Sequence, residues 1–296
     1  MLLAMRLLDF LFAIRPLVLV PAWSFFLLGA TAAPEGSMRP WLRLALFTRA
    51  MIGVYLVNQI VDLESDRIND KGFFLQRGIF TPRQYAGAAV ASLALALGVA
   101  AATENAPGLL AVAVGLGLAY SVPPVRLAAR AGLDLGANAA GYGLLAPWLG
   151  AGAGTSAPGT AFLASTTLAV AAVFVHTTLL DLEGDRRTGK RTIGLVLGPG
   201  RSRALAALLA VLAAIAAIAS ADRALGVAAG VLAVGSAAAA FRPARVSSRS
   251  VCVGGTAVYA LAAAAAWPLF AAAVLALALA TRIYYARRFG MRYPAL

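Results

Sequence analysis

Two short stretches carry most of the acid in this chain. Asp62-Leu-Glu-Ser-Asp66-Arg-Ile-Asn-Asp70-Lys71 and Asp181-Leu-Glu-Gly-Asp185-Arg-Arg-Thr-Gly-Lys190 hold seven of its 12 Asp and Glu residues. They agree at six of ten positions, and the chain's only two lysines close the two stretches. Asn58, Asp62 and Asp66 are four residues apart, a spacing that stacks side chains on one face of a helix. Asp181 and Asp185 repeat the pair, while Glu64 and Glu183 point elsewhere. Stacked carboxylates repel each other unless a cation neutralises them. Oxygen donors without His or Cys suit a hard cation, Mg²⁺ or Ca²⁺. Mg²⁺ usually takes one or two carboxylates and fills its remaining positions with water and phosphate oxygens. Two such clusters facing each other could bind one diphosphate through two metals. Arg67, Lys71, Arg186, Lys190 and Arg191 would then take the remaining phosphate oxygens. Solvated helix ends could also carry Asp and Arg, but the duplication and the rarity of acid elsewhere argue against that reading.

The surrounding elements must hold these groups at a membrane boundary. The chain has 296 residues, 61% of them hydrophobic and 12% charged. A soluble domain carries about 25% charged residues, and charge at bilayer depth costs several kcal/mol. Nine apolar segments run from end to end, at about 10–32, 41–62, 83–102, 107–122, 135–155, 160–181, 202–220, 222–240 and 251–281. Each is near the roughly 20 residues a bilayer requires. The expectation is one all-α membrane domain over 1–296, with the 58–71 and 177–190 regions related as an internal repeat. Arg15 and Pro16 interrupt the first segment, which reads as an uncleaved helix rather than a signal peptide.

Lys and Arg concentrate in the even-numbered loops, which the positive-inside rule puts in the cytoplasm. Both carboxylate stretches lie there, which points to a plasma membrane of bacterial type. Nine crossings would place the arginine-rich tail outside, unless the break at Trp267-Pro268 makes the last segment a hairpin. The net charge of +13 suggests anionic lipid or phosphate ligands rather than nucleic acid. One cysteine excludes an internal disulfide, and one histidine, His176, argues against a multi-His metal site.

At this point the residues resemble a known family. Asn58-x-x-x-Asp62-x-x-x-Asp66 followed by Arg67-x-Asn69 resembles the first signature of the UbiA superfamily of intramembrane prenyltransferases. Asp181-x-Glu183-Gly184-Asp185-x-x-x-Gly189-x-x-Thr192 resembles the second. Tyr120-Ser121-x-Pro123-Pro124-x-Arg126-Leu127 looks like the segment between them, and Arg15-Pro16 also fits. The resemblance implies about nine helices around a central cavity, with Asp-rich loops capping it on the cytoplasmic side. It implies two Mg²⁺ ions on Asn58, Asp62, Asp66, Asp181 and Asp185, the four aspartates being catalytic. Arg15, Arg67, Lys71, Tyr120, Ser121, Arg126, Lys190 and Arg191 would bind the diphosphate.

The implied reaction is Mg²⁺-dependent transfer of a prenyl group from a prenyl diphosphate to an aromatic or other lipid-soluble acceptor. A membrane terpene cyclase of the same superfamily is the alternative. A cation-coupled transporter is disfavoured because its carboxylates would sit mid-span. The chain departs from the pattern at Phe73-Phe74, where many members place an arginine; Lys71 or Arg77 then supplies the charge.

Overall fold

The computed structural model describes residues 2–32, 39–69, 71–103, 107–152 and 157–293. Asp70, counted above in the first acidic stretch, lies outside them. Every regular element among the described residues is helical. That is the outcome a bilayer imposes, since an apolar solvent forces each backbone N–H and C=O to pair within its own segment.

The first span is α1 (Leu2–Ala13), a 3₁₀ turn (Pro16–Leu19) and α2 (Val20–Ala30). It is broken at Arg15, whose φ of 56° precedes Pro16. Next come α3 (Arg39–Val61), the short α4 (Leu63–Ile68) and α5 (Phe73–Gln76), then α6 (Pro82–Thr103) and α7 (Gly108–Ser121). The following span is composite: α8 (Leu133–Asn138), a π-helical turn (Ala139–Leu145) and α9 (Ala146–Ala151). α10 (Thr160–Leu180) leads into the short α11 (Leu182–Arg187). α12 (Ile193–Ala219), α13 (Arg223–Phe241), α14 (Ser248–Ala266) and α15 (Pro268–Phe289) complete the chain. Eight helices are long and apolar enough to cross a membrane; α7 is a shorter apolar helix of 14 residues.

Two boundaries differ from the sequence expectation. The segment expected over 202–220 begins at Ile193, so Arg201 and Arg203 lie on a helix rather than in a loop. Gly198 leaves the helical region there (φ 72°, ψ 168°) and Pro199 follows, so α12 is two helices meeting at a kink, with Arg201 and Arg203 on the second. The ninth expected segment, 251–281, is two helices, because Pro268 cannot continue α14 and instead opens α15.

The contacts of these two helices settle their directions. The Trp267 indole N–H donates to the Leu27 carbonyl, 2.9 Å away, near the end of α2. Arg288 donates to Asp9 at 3.2 Å, in α1. α15 therefore runs antiparallel to the first span, and its carboxyl end returns to the face that carries Asp66 and Asp181. In place of the expected nine spans, the described residues form ten apolar helical segments, counting α7 and the composite α8–α9.

Small residues set the packing where the hydrophobic effect between helices is weak. A Cβ at Gly29 would lie 1.9 Å from the Pro147 carbonyl oxygen, and one at Gly150 would lie 2.0 Å from that of Phe26. α2 and α9 thus touch backbone to backbone. This close crossing joins the first span to the composite one along one wall of the bundle.

The topology predicts a labelling pattern. In a Cys252→Ser background, cysteines placed at Gly78 and Arg292 should react with an impermeant maleimide from the same side of the membrane, and one at Ala102 from the other. Reaction of the Arg292 position with the Ala102 side would refute the returning α15.

Candidate active site

Both acidic stretches have the same backbone. Each follows a long helix that stops one residue before an aspartate: Asp62 has φ −93° and ψ 13°, and Asp181 has φ −110° and ψ 3°. A single turn of helix then presents Asp66 or Asp185. The chain next bends so that Lys71 N–H donates to the Asp66 carbonyl at 2.7 Å and Lys190 N–H to that of Asp185 at 2.9 Å. The helical hydrogen bond from Asp62 N–H to the Asn58 carbonyl survives at 2.8 Å, so Asn58, Asp62 and Asp66 still share a face across the break.

The two elements exchange their lysines. Lys71 Nζ pairs with Asp181, and Lys190 Nζ lies 2.8 Å from Asp62 Oδ1. Each lysine thus reaches the first aspartate of the opposite element. Lys190 is also 3.7 Å from Asp185 and donates to the Ser65 hydroxyl at 3.2 Å. The Gly184 N–H donates to Asn69 Oδ1 at 3.1 Å, a second cross-link between the elements.

The other cations come from strained backbone. Arg15 and Arg126, with Ala221, are the non-glycine residues of positive φ among the described residues. The Arg15 guanidinium is 3.9 Å from Asp66, and that of Arg126 is 3.6 Å from Asp62. Left-handed conformations outside glycine cost free energy and gather at functional sites, and here two of the three aim a guanidinium at an aspartate.

These groups open onto one cavity of about 450 Å³. Its polar end carries Arg15, Asn58, Asp62, Asp66, Lys71, Tyr120, Ser121, Asp181, Asp185 and Lys190, and its far end is walled by Phe25, Phe47, Met51, Val54 and Phe174. Arg126 touches Asp62 without lining the cavity. Arg67 and Arg191 do not line it and are exposed. Each adjoins an inward-facing residue in sequence, and one residue's rotation turns it away. Within the polar end Asn58 links two elements, donating to Asp62 Oδ2 at 3.0 Å and to the Ser121 hydroxyl at 3.1 Å.

Burial pushes the Asp66 carboxyl above its ordinary pKa, and Asp62 and Asp181 push the same way, against Arg15 and Lys71. Burial likewise raises Asp185, with Asp181 and Asp62 adding to it against Lys190. The set thus matches four aspartates with four cations, Arg15, Lys71, Arg126 and Lys190, and burial is what raises Asp66 and Asp185. All of its donors are oxygens, the chemistry of a hard cation. Among the described residues no three His, Cys, Asp or Glu side chains form a complete metal cage.

Several cavity residues carry no signature in the sequence. Tyr55 and Tyr142 share a hydrogen bond across the cavity. Tyr55 stands three residues before Asn58, which would have marked its face; Tyr142 is delivered by the π-helical turn, which helical spacing does not reveal. Tyr259 lines the apolar end, and its hydroxyl is buried with no partner among the described residues. At the family's departure point, Phe74 is buried and Phe73 packs on Phe289 with ring centroids 4.6 Å apart. Arg77 covers Phe73 at 4.3 Å, so Lys71 is the cation that enters the cavity.

The family model for the UbiA prenyltransferase family matches residues 18–252. The chain belongs to the UbiA prenyltransferase family. With that family and its apolar helices it is an integral, multi-pass membrane protein. A UbiA homolog from Archaeoglobus fulgidus, bound to GPP and Mg²⁺, is 22% identical with a TM-score of 0.68, over 89% of this chain and 98% of that one. The apo UbiA homolog from Aeropyrum pernix K1 is 18% identical with a TM-score of 0.64, over 84% and 96%. A structure described for digeranylgeranylglyceryl phosphate synthase is 17% identical with a TM-score of 0.64, over 87% and 98%. These likenesses are of fold. No curated protein matches the chain.

The exchanged lysines predict a stability effect in this UbiA-family chain. Lys190 is buried against two carboxylates, so Lys190→Met should lower stability in metal-free detergent by on the order of 3 kcal/mol, the usual cost of orphaning a buried charge. The midpoint of denaturant unfolding measures it, and an unchanged midpoint would contradict the pairing.

Proposed function

We propose that this protein ionises a prenyl diphosphate at the carboxylate end of the cavity and passes the prenyl group to an aromatic or other lipid-soluble acceptor. The observation that carries the reading is the crossed pair of lysines on facing aspartates at the mouth of an apolar cavity. A diphosphate brings negative oxygens that compete for those lysines. Asp62, Asp181 and Asp185, released by that exchange, together with Asp66 and Asn58, are the ligands we assign to Mg²⁺, two ions in all. When bound, Mg²⁺ supplies Lewis acidity to the leaving diphosphate.

The chain's own residues do the rest. Lys71 and Lys190 turn from carboxylate to phosphate oxygens, and Arg15 and Arg126 do the same from their fixed backbone corners. Tyr120 and Ser121 offer hydroxyls at the same end. As the bond between the allylic carbon and oxygen breaks, its electron pair leaves with the diphosphate, and these donors stabilise the developing charge. The allylic cation is left beside the rings of Tyr55, Tyr120 and Tyr142, whose faces favour a cation. The apolar wall beyond excludes water that would quench it. The acceptor then attacks the allylic carbon and loses a proton. Arg67 and Arg191, exposed on the same loops, add positive potential that draws in the anion.

The repeated backbone of the two acidic elements and their reciprocal lysines support an internal repeat relating 58–71 and 177–190. The basic loops support a cytoplasmic active-site face in a plasma membrane of bacterial type.

Asp62→Ala or Asp181→Ala should abolish Mg²⁺-dependent diphosphate release from GPP while the protein still inserts in the membrane. Chelation of the metal should stop the wild type in the same assay. Full turnover by either variant would sink the reading.

A further inference from the structure

α15 lies outside the residues that the family model matches, yet its last turns touch two segments of the candidate site. The first contact is with α1. The Tyr284 ring stacks on Phe12 at 3.9 Å, and its hydroxyl donates to Asp9. Arg288 donates to both Asp9 oxygens, at 3.2 and 3.3 Å, and Asp9 is only 3% exposed. Three residues beyond Phe12 the chain reaches Arg15, whose guanidinium faces Asp66.

The second contact is with the loop that carries Lys71. Phe73 packs on Phe289 and Tyr285, with centroids 4.6 and 5.9 Å apart, and Phe74 packs on the same rings at 5.9 and 6.1 Å. Only Gly72, at φ 71°, separates Phe73 from Lys71. The residues that replace the family's arginine are therefore the ones that grip α15.

A helix added only to enlarge the core would bury a stripe along its length. The buried residues of α15 are Thr281 and Tyr285, both towards its carboxyl end, while Leu269 and Leu275 are 81% and 71% exposed. Apart from Phe270, which packs on the main core at its amino end, its buried side chains lie where it meets the two cation-bearing segments.

We propose that α15 is a positioning element for the diphosphate site. Through Phe73 and Phe74, Tyr285 and Phe289 hold Lys71 over Asp181; through Asp9 and Phe12, Tyr284 and Arg288 hold the Arg15 corner against Asp66. This rests on the prenyl-diphosphate reading, because the placed groups are the cations assigned to that substrate.

A double-mutant cycle on the full chain in detergent tests it, reading the Kd of labelled GPP with Mg²⁺. Phe289→Ala should weaken GPP binding about tenfold, the scale of losing aromatic packing that orders a loop. In a Lys71→Ala background the same change should cost less than about twofold, since a positioning residue has nothing left to position. Phe289→Tyr should restore binding. Phe73→Leu, which cuts the contact from the loop side, should repeat the result if Phe289→Ala does not fold. Equal losses in both backgrounds, or no loss in the wild-type background, would overturn the proposal. Lys71→Ala binding as tightly as wild type would overturn it together with the assignment of Lys71. A wild-type protein that binds no GPP would overturn the prenyl-diphosphate reading itself.

Discussion

Four aspartates held in partial burial around one cavity are the constraint that organises this molecule. Like charges drawn out of water repel one another and favour protonation. The chain answers with lysines, and each lysine crosses to the first aspartate of the opposite acidic element. The two halves of the bundle therefore cannot separate without stranding charge on both sides. Such pairs add little net stability, because desolvation offsets their attraction. Their value is geometric: they define where two segments more than 100 residues apart in sequence must meet.

The rest of the fold serves that meeting. α3 and α10 bring the aspartates to one face, and both stop one residue short of the first carboxylate. Strained backbone at Arg15 and Arg126 directs two further cations inward. The close crossing of α2 and α9 fixes the frame, and the π-helical turn before α9 aims Tyr142 at Tyr55. α15 then braces the segments that carry Arg15 and Lys71. Polar groups converge at the mouth, and apolar walls fill the depth, as the proposed reaction through a water-sensitive cation would demand.

Much of this was legible in the sequence because chemistry and spacing are explicit there. Acid is so scarce that two matching acidic stretches stand out, and the four-residue spacing of Asn58, Asp62 and Asp66 predicts a shared face that the structure keeps despite the break at Asp62. Other features depend on contacts between distant segments, which spacing does not encode. Which lysine meets which aspartate is decided by how α4 and α11 oppose each other. Arg67 and Arg191 carry the right charge but turn outward, a matter of a single residue's rotation. Trp267-Pro268 marks a break in any reading, but only the contacts to Leu27 and Asp9 show that the chain turns back. Phe73-Phe74 reads as a departure from the family pattern until its partners on α15 are seen.

The central claim is that the carboxylates and lysines form a site in which diphosphate and metal replace the crossed ion pairs. A structure of the protein with GPP and Mn²⁺, located by anomalous scattering, tests it most directly. The account predicts metal peaks at Asp62 and Asp66 and at Asp181 and Asp185, with the Nζ atoms of Lys71 and Lys190 moved from aspartate to diphosphate oxygens. A bound diphosphate elsewhere, with both lysine–aspartate pairs intact, would contradict it.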